Sequence, residues 1–109
     1  ETIATAKVIA LPSTINGSFS AKTDNDYFRV SVPAGKTVTA TMRPNATSDY
    51  DLYVHNAAGT RISTSSAGAG QPDTVSFTNA GTAAAVYTLR VVYFSGGVGA
   101  AGTYTLTVQ

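Results

Sequence analysis

Asp26–Met42 reads DYFRVSVPAGKTVTATM. Phe28, Val30 and Val32 alternate with Arg29 and Ser31, and Val38, Ala40 and Met42 alternate with Thr37, Thr39 and Thr41. A period of two buries one face of a strand and wets the other. Between the two runs stands Pro33-Ala34-Gly35. Proline fixes φ and glycine is free to take φ > 0, so these residues turn the chain. The stretch predicts two strands, paired as a hairpin or joined by a short loop that spans two sheets. Its Val and Thr content suits a pleated surface.

The same grammar extends in both directions. Glu1–Leu11 is compatible with a helical turn through Ile3, Ala6 and Ile9 or with a strand at Val8, and Pro12 ends it. Asn16-Gly17 is a turn dipeptide, and Ser18–Ser20 a short strand with Phe19 inward. Tyr50–Asn56 points Tyr50, Leu52 and Val54 one way and Asp51, Tyr53 and His55 the other. Thr60–Ser65 carries Ile62 inward, and Asp73–Thr78 carries Val75 and Phe77 inward. Val86–Phe94 is apolar on both faces, with Tyr87, Leu89, Val91 and Tyr93 on one and Val86, Val92 and Phe94 on the other. Such a strand is central, or its outer face is covered or binds something. Ser95–Gly102 reads as a flexible loop, and Thr103–Val108 closes the chain with Tyr104, Leu106 and Val108 inward. About eight strands with regular turn signals predict an all-β fold, an antiparallel two-sheet β-sandwich of jelly-roll type. Residues 1–109 make one domain, expected to be a monomer.

Composition excludes several functions. Charged residues are 12% of the chain and the net charge is +1, with Lys and Arg scattered singly. No basic run is present to hold nucleic acid or an anionic membrane. No apolar run is long enough to span a bilayer. With no Cys, disulfides, thiolate zinc sites and cysteine nucleophiles are excluded. The Thr-, Ser-, Ala- and Gly-rich remainder suits an extracellular β-domain. The chain opens at Glu1 in domain-like sequence with no signal peptide, as a piece cut from a longer precursor would.

Catalytic constellations are sparse. His55 is the single His, and Asp51 lies four residues away on the same strand face. That is ~13 Å along an extended strand, too far for the paired base and carboxylate of a triad; a surface His beside a turn is the simpler reading. Asp49 and Asp51, beside Tyr50 and Tyr53, resemble the carboxylate pair of a glycosidase but lack further polar partners. One His does not make a zinc site. The Gly-rich Ser66–Pro72 has no Lys-Ser/Thr ending and opens no helix, so it is not a phosphate loop. Lys22–Asp26 (KTDND) offers oxygen donors suited to calcium, and equally a run of good turn formers. Asn45-Ala46-Thr47 is a glycosylation sequon, without meaning in a bacterial product. Tyr27, Tyr53 and Phe94 are candidate outward aromatics for binding a polymer, or else they cover core edges or face a neighbouring domain.

In order, DYFRVSVPAG (Asp26–Gly35), SDYDLYVHNAAG (Ser48–Gly59), YTLRVVYFSGG (Tyr87–Gly97) and GTYTLTV (Gly102–Val108) resemble the bacterial pre-peptidase C-terminal domain. The resemblance covers nearly the whole chain. It implies a non-catalytic β-sandwich appended to a secreted bacterial peptidase, assisting export or maturation and often cleaved off. The alternative is an adhesion module for insoluble, collagen-like protein or polysaccharide. The implied partner is the parent catalytic domain. No cofactor is required. The family's calcium site maps onto Asp26 and Tyr27 with upstream acids, here Glu1; Thr23 stands where an acid is expected, and Asp24 is the available substitute.

Overall fold

The computed structural model describes residues 6–19, 21 and 25–109. It contains β1 (Lys7–Ile9), β2 (Ser13–Ser18), β3 (Asn25–Val32), β4 (Thr37–Pro44), β5 (Asp49–His55), β6 (Arg61–Ser65), β7 (Asp73–Thr78), β8 (Ala85–Ser95) and β9 (Thr103–Val108). One sheet runs β1-β3-β8-β5-β6 and the other β2-β9-β4-β7. From β2 onward only the β5–β6 hairpin stays within one sheet; every other connection crosses, which is the jelly-roll path. Pro33-Ala34-Gly35 therefore turns the chain from one sheet to the other, with Gly35 at φ 76°. The ninth strand is β1, which resolves the ambiguous lead-in. It pairs with β3 in parallel, Val8 opposite Arg29, so the sandwich is antiparallel except along this edge.

The core fills the space between the sheets. Val30, Val32, Val38, Met42, Tyr50, Leu52, Val54, Leu89, Val91, Leu106 and Val108 are fully buried, as their alternation predicts. Phe19, Tyr50, Tyr93 and Tyr104 pack at one end, with Phe19 and Tyr50 edge to face at 4.8 Å. Phe77 and Tyr87 meet at 4.9 Å. Strand β8 is central, in keeping with its two apolar faces.

Four expectations are corrected. Asn16-Gly17 lies inside β2 and is not a turn; Gly17 pairs with Tyr104, whose ring takes the space of a side chain. Phe19 is buried but follows the strand, its N–H bonded to Gly102 O at 3.0 Å. Ile62 is 46% exposed. Val54 pairs with Ser63 and His55 with Arg61, so Ile62 is the extra residue of a β-bulge and loses its inward phase. Asp51 and His55 are buried, although strand phase places them outward.

Ser95–Gly102 is tied down and carries a short 3-10 turn, Gly99–Ala101. Tyr50 Oη donates to Gly97 O at 2.6 Å, Gly97 N–H to Ser48 Oγ at 2.9 Å, and Gly99 N–H to Phe19 O at 2.6 Å. Asn45 Nδ2, the sequon nitrogen, donates to Ala101 O at 2.9 Å and Thr103 O at 3.0 Å. The fold thus uses the atom a glycan would take.

Candidate functional site

The two outer faces differ in kind. On the four-stranded sheet, hydroxyls pair across β4 and β7: Thr37 with Thr78 at 2.7 Å, Thr39 with Ser76 at 3.0 Å and Thr41 with Thr74 at 3.3 Å. The five-stranded sheet shows aromatic rings, arginines and aliphatic groups instead. Its register places Tyr27, Arg90, Tyr53 and Thr64 in one row across β3, β8, β5 and β6. The Arg90 guanidinium lies 5.4 Å from the Tyr27 ring centroid and 5.5 Å from that of Tyr53, and its Nε donates to Asn25 Oδ1 at 3.1 Å. The Arg61 guanidinium stands 4.7 Å over the Tyr53 ring. At these distances the ring quadrupole attracts the cation and orders both partners.

The next row holds Val8, Arg29, Thr88 and His55. An open cavity of about 480 Å³ sits there, lined by Val8, Arg29, Val86, Thr88 and the Asn56-Ala57 turn. At the far end of β8, Asp49 pairs with Ser95 and Tyr50 with Tyr93, so Phe94 is the extra residue of a bulge. It is 68% exposed. Among the described residues, the exposed large hydrophobics are Val8, Ile62, Val86 and Phe94, and all belong to this sheet.

Of the three aromatics expected to bind, Tyr27 and Tyr53 thus share a row, bridged by Arg90. Phe94, four residues along β8 from Arg90, lies ~13 Å away. Nothing in the local sequence singles out Arg90 or Arg61. Arg90 alternates with Val92 and Phe94 and so belongs to their face, but only the strand pairing shows which rings flank it.

The carboxylate pair is brought together but not opened to substrate. Asp49 lies within hydrogen-bonding reach of Asp51, and Asp73 of β7 adds its charge nearby. Asp73 is fully buried; its Oδ1 accepts from Ala67 N–H at 2.7 Å, and Oδ2 has no partner. Asp49 Oδ1 is likewise buried and unpartnered. Gly70 N–H donates to Ser48 O at 2.8 Å, fastening the Gly-rich loop beside the start of β5. Burial first, then Asp49 and Asp73, raises the Asp51 pKa to about 6. Burial also raises that of Asp73, against bonds from Ala67 and Ser65 that lower it. Desolvation and the neighbouring acids thus favour the neutral form of Asp51, and desolvation that of Asp73.

His55 is 8% exposed, not a surface residue. Its Nδ1 faces Gly59 O at 3.2 Å, which assigns the ring proton to Nδ1, and Nε2 has no partner. Asp51 is not bonded to it.

Of the implied calcium ligands, Glu1 and Asp24 lie outside the described residues. Asp26 and Tyr27 point to opposite faces, Asp26 in register with buried Val91 and Tyr27 with Arg90. Asp26 Oδ2 accepts from Tyr104 Oη at 2.5 Å. Among the described residues the implied set thus supplies one carboxylate, already engaged with Tyr104, and one carbonyl, where calcium takes six to eight oxygens. Among the described residues no three His, Cys, Asp or Glu converge to hold a metal.

No helix among the described residues is long and apolar enough to cross a membrane. No curated protein matches the chain. Solved structures do. The pre-peptidase C-terminal domain of a Bacillus anthracis collagenase matches with TM-score 0.76 at 21% identity, over 95% of this chain and 94% of that one. The Yersinia pseudotuberculosis-derived mitogen matches with TM-score 0.64 at 15% identity, over 93% and 86%. The Salmonella Typhimurium inhibitor PliG, a periplasmic inhibitor of g-type lysozyme, matches with TM-score 0.58 at 17% identity, over 96% and 98%. At such identities these likenesses speak for the fold. Residues 24–92, more than half of the sequence, match a family directly, and by that match the chain belongs to the bacterial pre-peptidase C-terminal domain family.

Proposed function

We propose that this is a non-catalytic accessory domain of a secreted bacterial peptidase, and that it docks the enzyme on an insoluble polymer through the outer face of the five-stranded sheet. The observation that carries this is the concentration of Val8, Ile62, Val86 and Phe94 on one sheet whose outer face also bears the Tyr27–Arg90–Tyr53 row. Val8 and Ile62 stand on the two edge strands and Val86 and Phe94 near the two ends of β8, around the Tyr27–Arg90–Tyr53 row, and Tyr and Arg are favoured residues of interaction surfaces. The test is retention of the pure domain on insoluble collagen, chitin and cellulose. Collagen is included because one similar structure comes from a collagenase. Retention that falls on Tyr53→Ala or Phe94→Ala supports docking; no retention on any of the three sinks it.

A second reading is an export and maturation appendage. A 12% charge content and a hydroxyl-lined second face favour it, because both suit solubility during passage. Secretion of the parent enzyme with the domain deleted separates the readings. Lost export without polymer retention selects the appendage, and intact export with retention selects docking.

A further inference from the structure

Arg29, Arg61 and Arg90 all belong to the five-stranded sheet and present its outer rows. The described carboxylates are engaged elsewhere. Asp26 faces inward to Tyr104, and Asp49, Asp51 and Asp73 form their own cluster at the start of β5. Asp51 shares the outer phase but is buried, and every influence on it comes from burial or another acid; no arginine neutralises it. Arg90 is held by rings and by Asn25, and Arg61 by a ring, so both guanidinium groups are ordered by neutral partners. An ordered guanidinium stacked on an aromatic face is well suited to take a carboxylate.

We infer that the outer face of the five-stranded sheet recognises an acidic segment of extended polypeptide, its every second side chain a carboxylate turned to the sheet to meet Arg29, Arg90 and Arg61, with the rings of Tyr27 and Tyr53 against the methylene stems of those acids. This rests on the docking reading above and names the class of its ligand. Charge complementarity and spacing argue for it. From β3 to β6 the sheet spans three strand spacings, ~14 Å. In an extended chain alternate side chains on one side repeat every ~6.7 Å, so acids four residues apart reach from Arg29 to Arg61, with a third between them near Arg90. A polypeptide is chosen over an acidic glycan because the family attaches this domain to a peptidase.

The experiment uses the full 109-residue chain and fluorescent peptides of alternating Glu and Thr, with a Gln/Thr twin as the neutral control. Polygalacturonate serves as the acidic glycan and insoluble collagen as the docking control. The Glu/Thr peptide is expected to bind more tightly than its twin, with the difference closing as salt rises. Arg29→Gln and Arg61→Gln each weaken the Glu/Thr peptide about three- to fivefold and leave the twin unchanged. Both variants keep an unaltered melting temperature. Equal binding of the two peptides, or tighter binding of polygalacturonate, overturns the inference. If collagen retention through Tyr53 and Phe94 persists in that case, docking stands and only the ligand class falls. If the domain is retained on none of collagen, chitin and cellulose, both fall.

Discussion

Gly17 lies against the ring of Tyr104. A Cβ there would stand 2.3 Å from Tyr104 Cζ and 2.4 Å from its Oη, well inside van der Waals contact. The ring has no easy retreat, since it packs on Phe19 at 5.5 Å and its hydroxyl is bonded to Asp26. Gly17→Ala is therefore expected to destabilise the domain by about 1–3 kcal/mol, the usual cost of overpacking. Urea unfolding checks it, and an unchanged midpoint would remove the argument. Asn79 makes the opposite kind of case, a polar residue that the core needs. It is 3% exposed, donates to Val32 O at 2.9 Å and Ala83 O at 2.8 Å, and accepts from Gly81 N–H at 3.0 Å. Asn79→Ala leaves those groups short of a partner, and the expected loss is about 1–3 kcal/mol by the same measurement. Neither role was legible in the sequence. Asn-Gly is a turn signal until a cross-strand tyrosine needs the glycine's empty side, and Asn79 sits in a run that reads as a plain link.

At the scale of an element, β5 shows how far alternation carries. Tyr50, Leu52 and Val54 face the core as period two requires. Asp51 and His55 share the opposite phase, yet neighbouring loops and strands bury them, and no local pattern reports what comes over a strand from elsewhere. The buried acids have a consequence for pH. The pKa of Asp51 stands at about 6 in the fold, above its ordinary 3.8, so between those values the native state holds more protons than the unfolded chain. Stability from this group is full below pH 4 and is lost as pH rises through 6, by about 1–2 kcal/mol once solvent screening is allowed for. The raised pKa of Asp73 acts in the same direction. Asp51→Asn removes the charge and keeps the shape. It is expected to flatten the fall in urea midpoint between pH 4 and pH 7 and to match or exceed the parent at pH 7. A parent whose stability rises across that interval would show that Asp51 is solvated in the fold and not held toward its neutral form.

The whole molecule was the more legible level, because a jelly roll depends on the order and phase of many strands. Asp26–Met42 announced two strands and a turn, and left open whether they share a sheet; the crossing between sheets follows from long-range pairing that no window of sequence contains. Bulges at Ile62 and Phe94 shifted phase for the same reason. The candidate site was half legible: alternation placed Tyr27, Tyr53 and Phe94 outward, while Arg90 and Arg61 gained their meaning only when β3, β8, β5 and β6 lay side by side. The resulting molecule has a hydroxyl face and an aromatic–arginine face, and the docking reading requires that they behave differently. Thr74 and Ser76 are exposed on the first, Tyr53 and Phe94 belong to the second, and none of the four contributes to the buried core. Tyr53→Ala and Phe94→Ala are each expected to weaken retention on insoluble polymer roughly tenfold, the scale of an interface hot spot. Thr74→Ala and Ser76→Ala are expected to leave it unchanged, and a binding isotherm on collagen compares all four at equal melting temperature. If the threonine and serine changes weaken retention and the aromatic changes do not, the working face is the hydroxyl sheet.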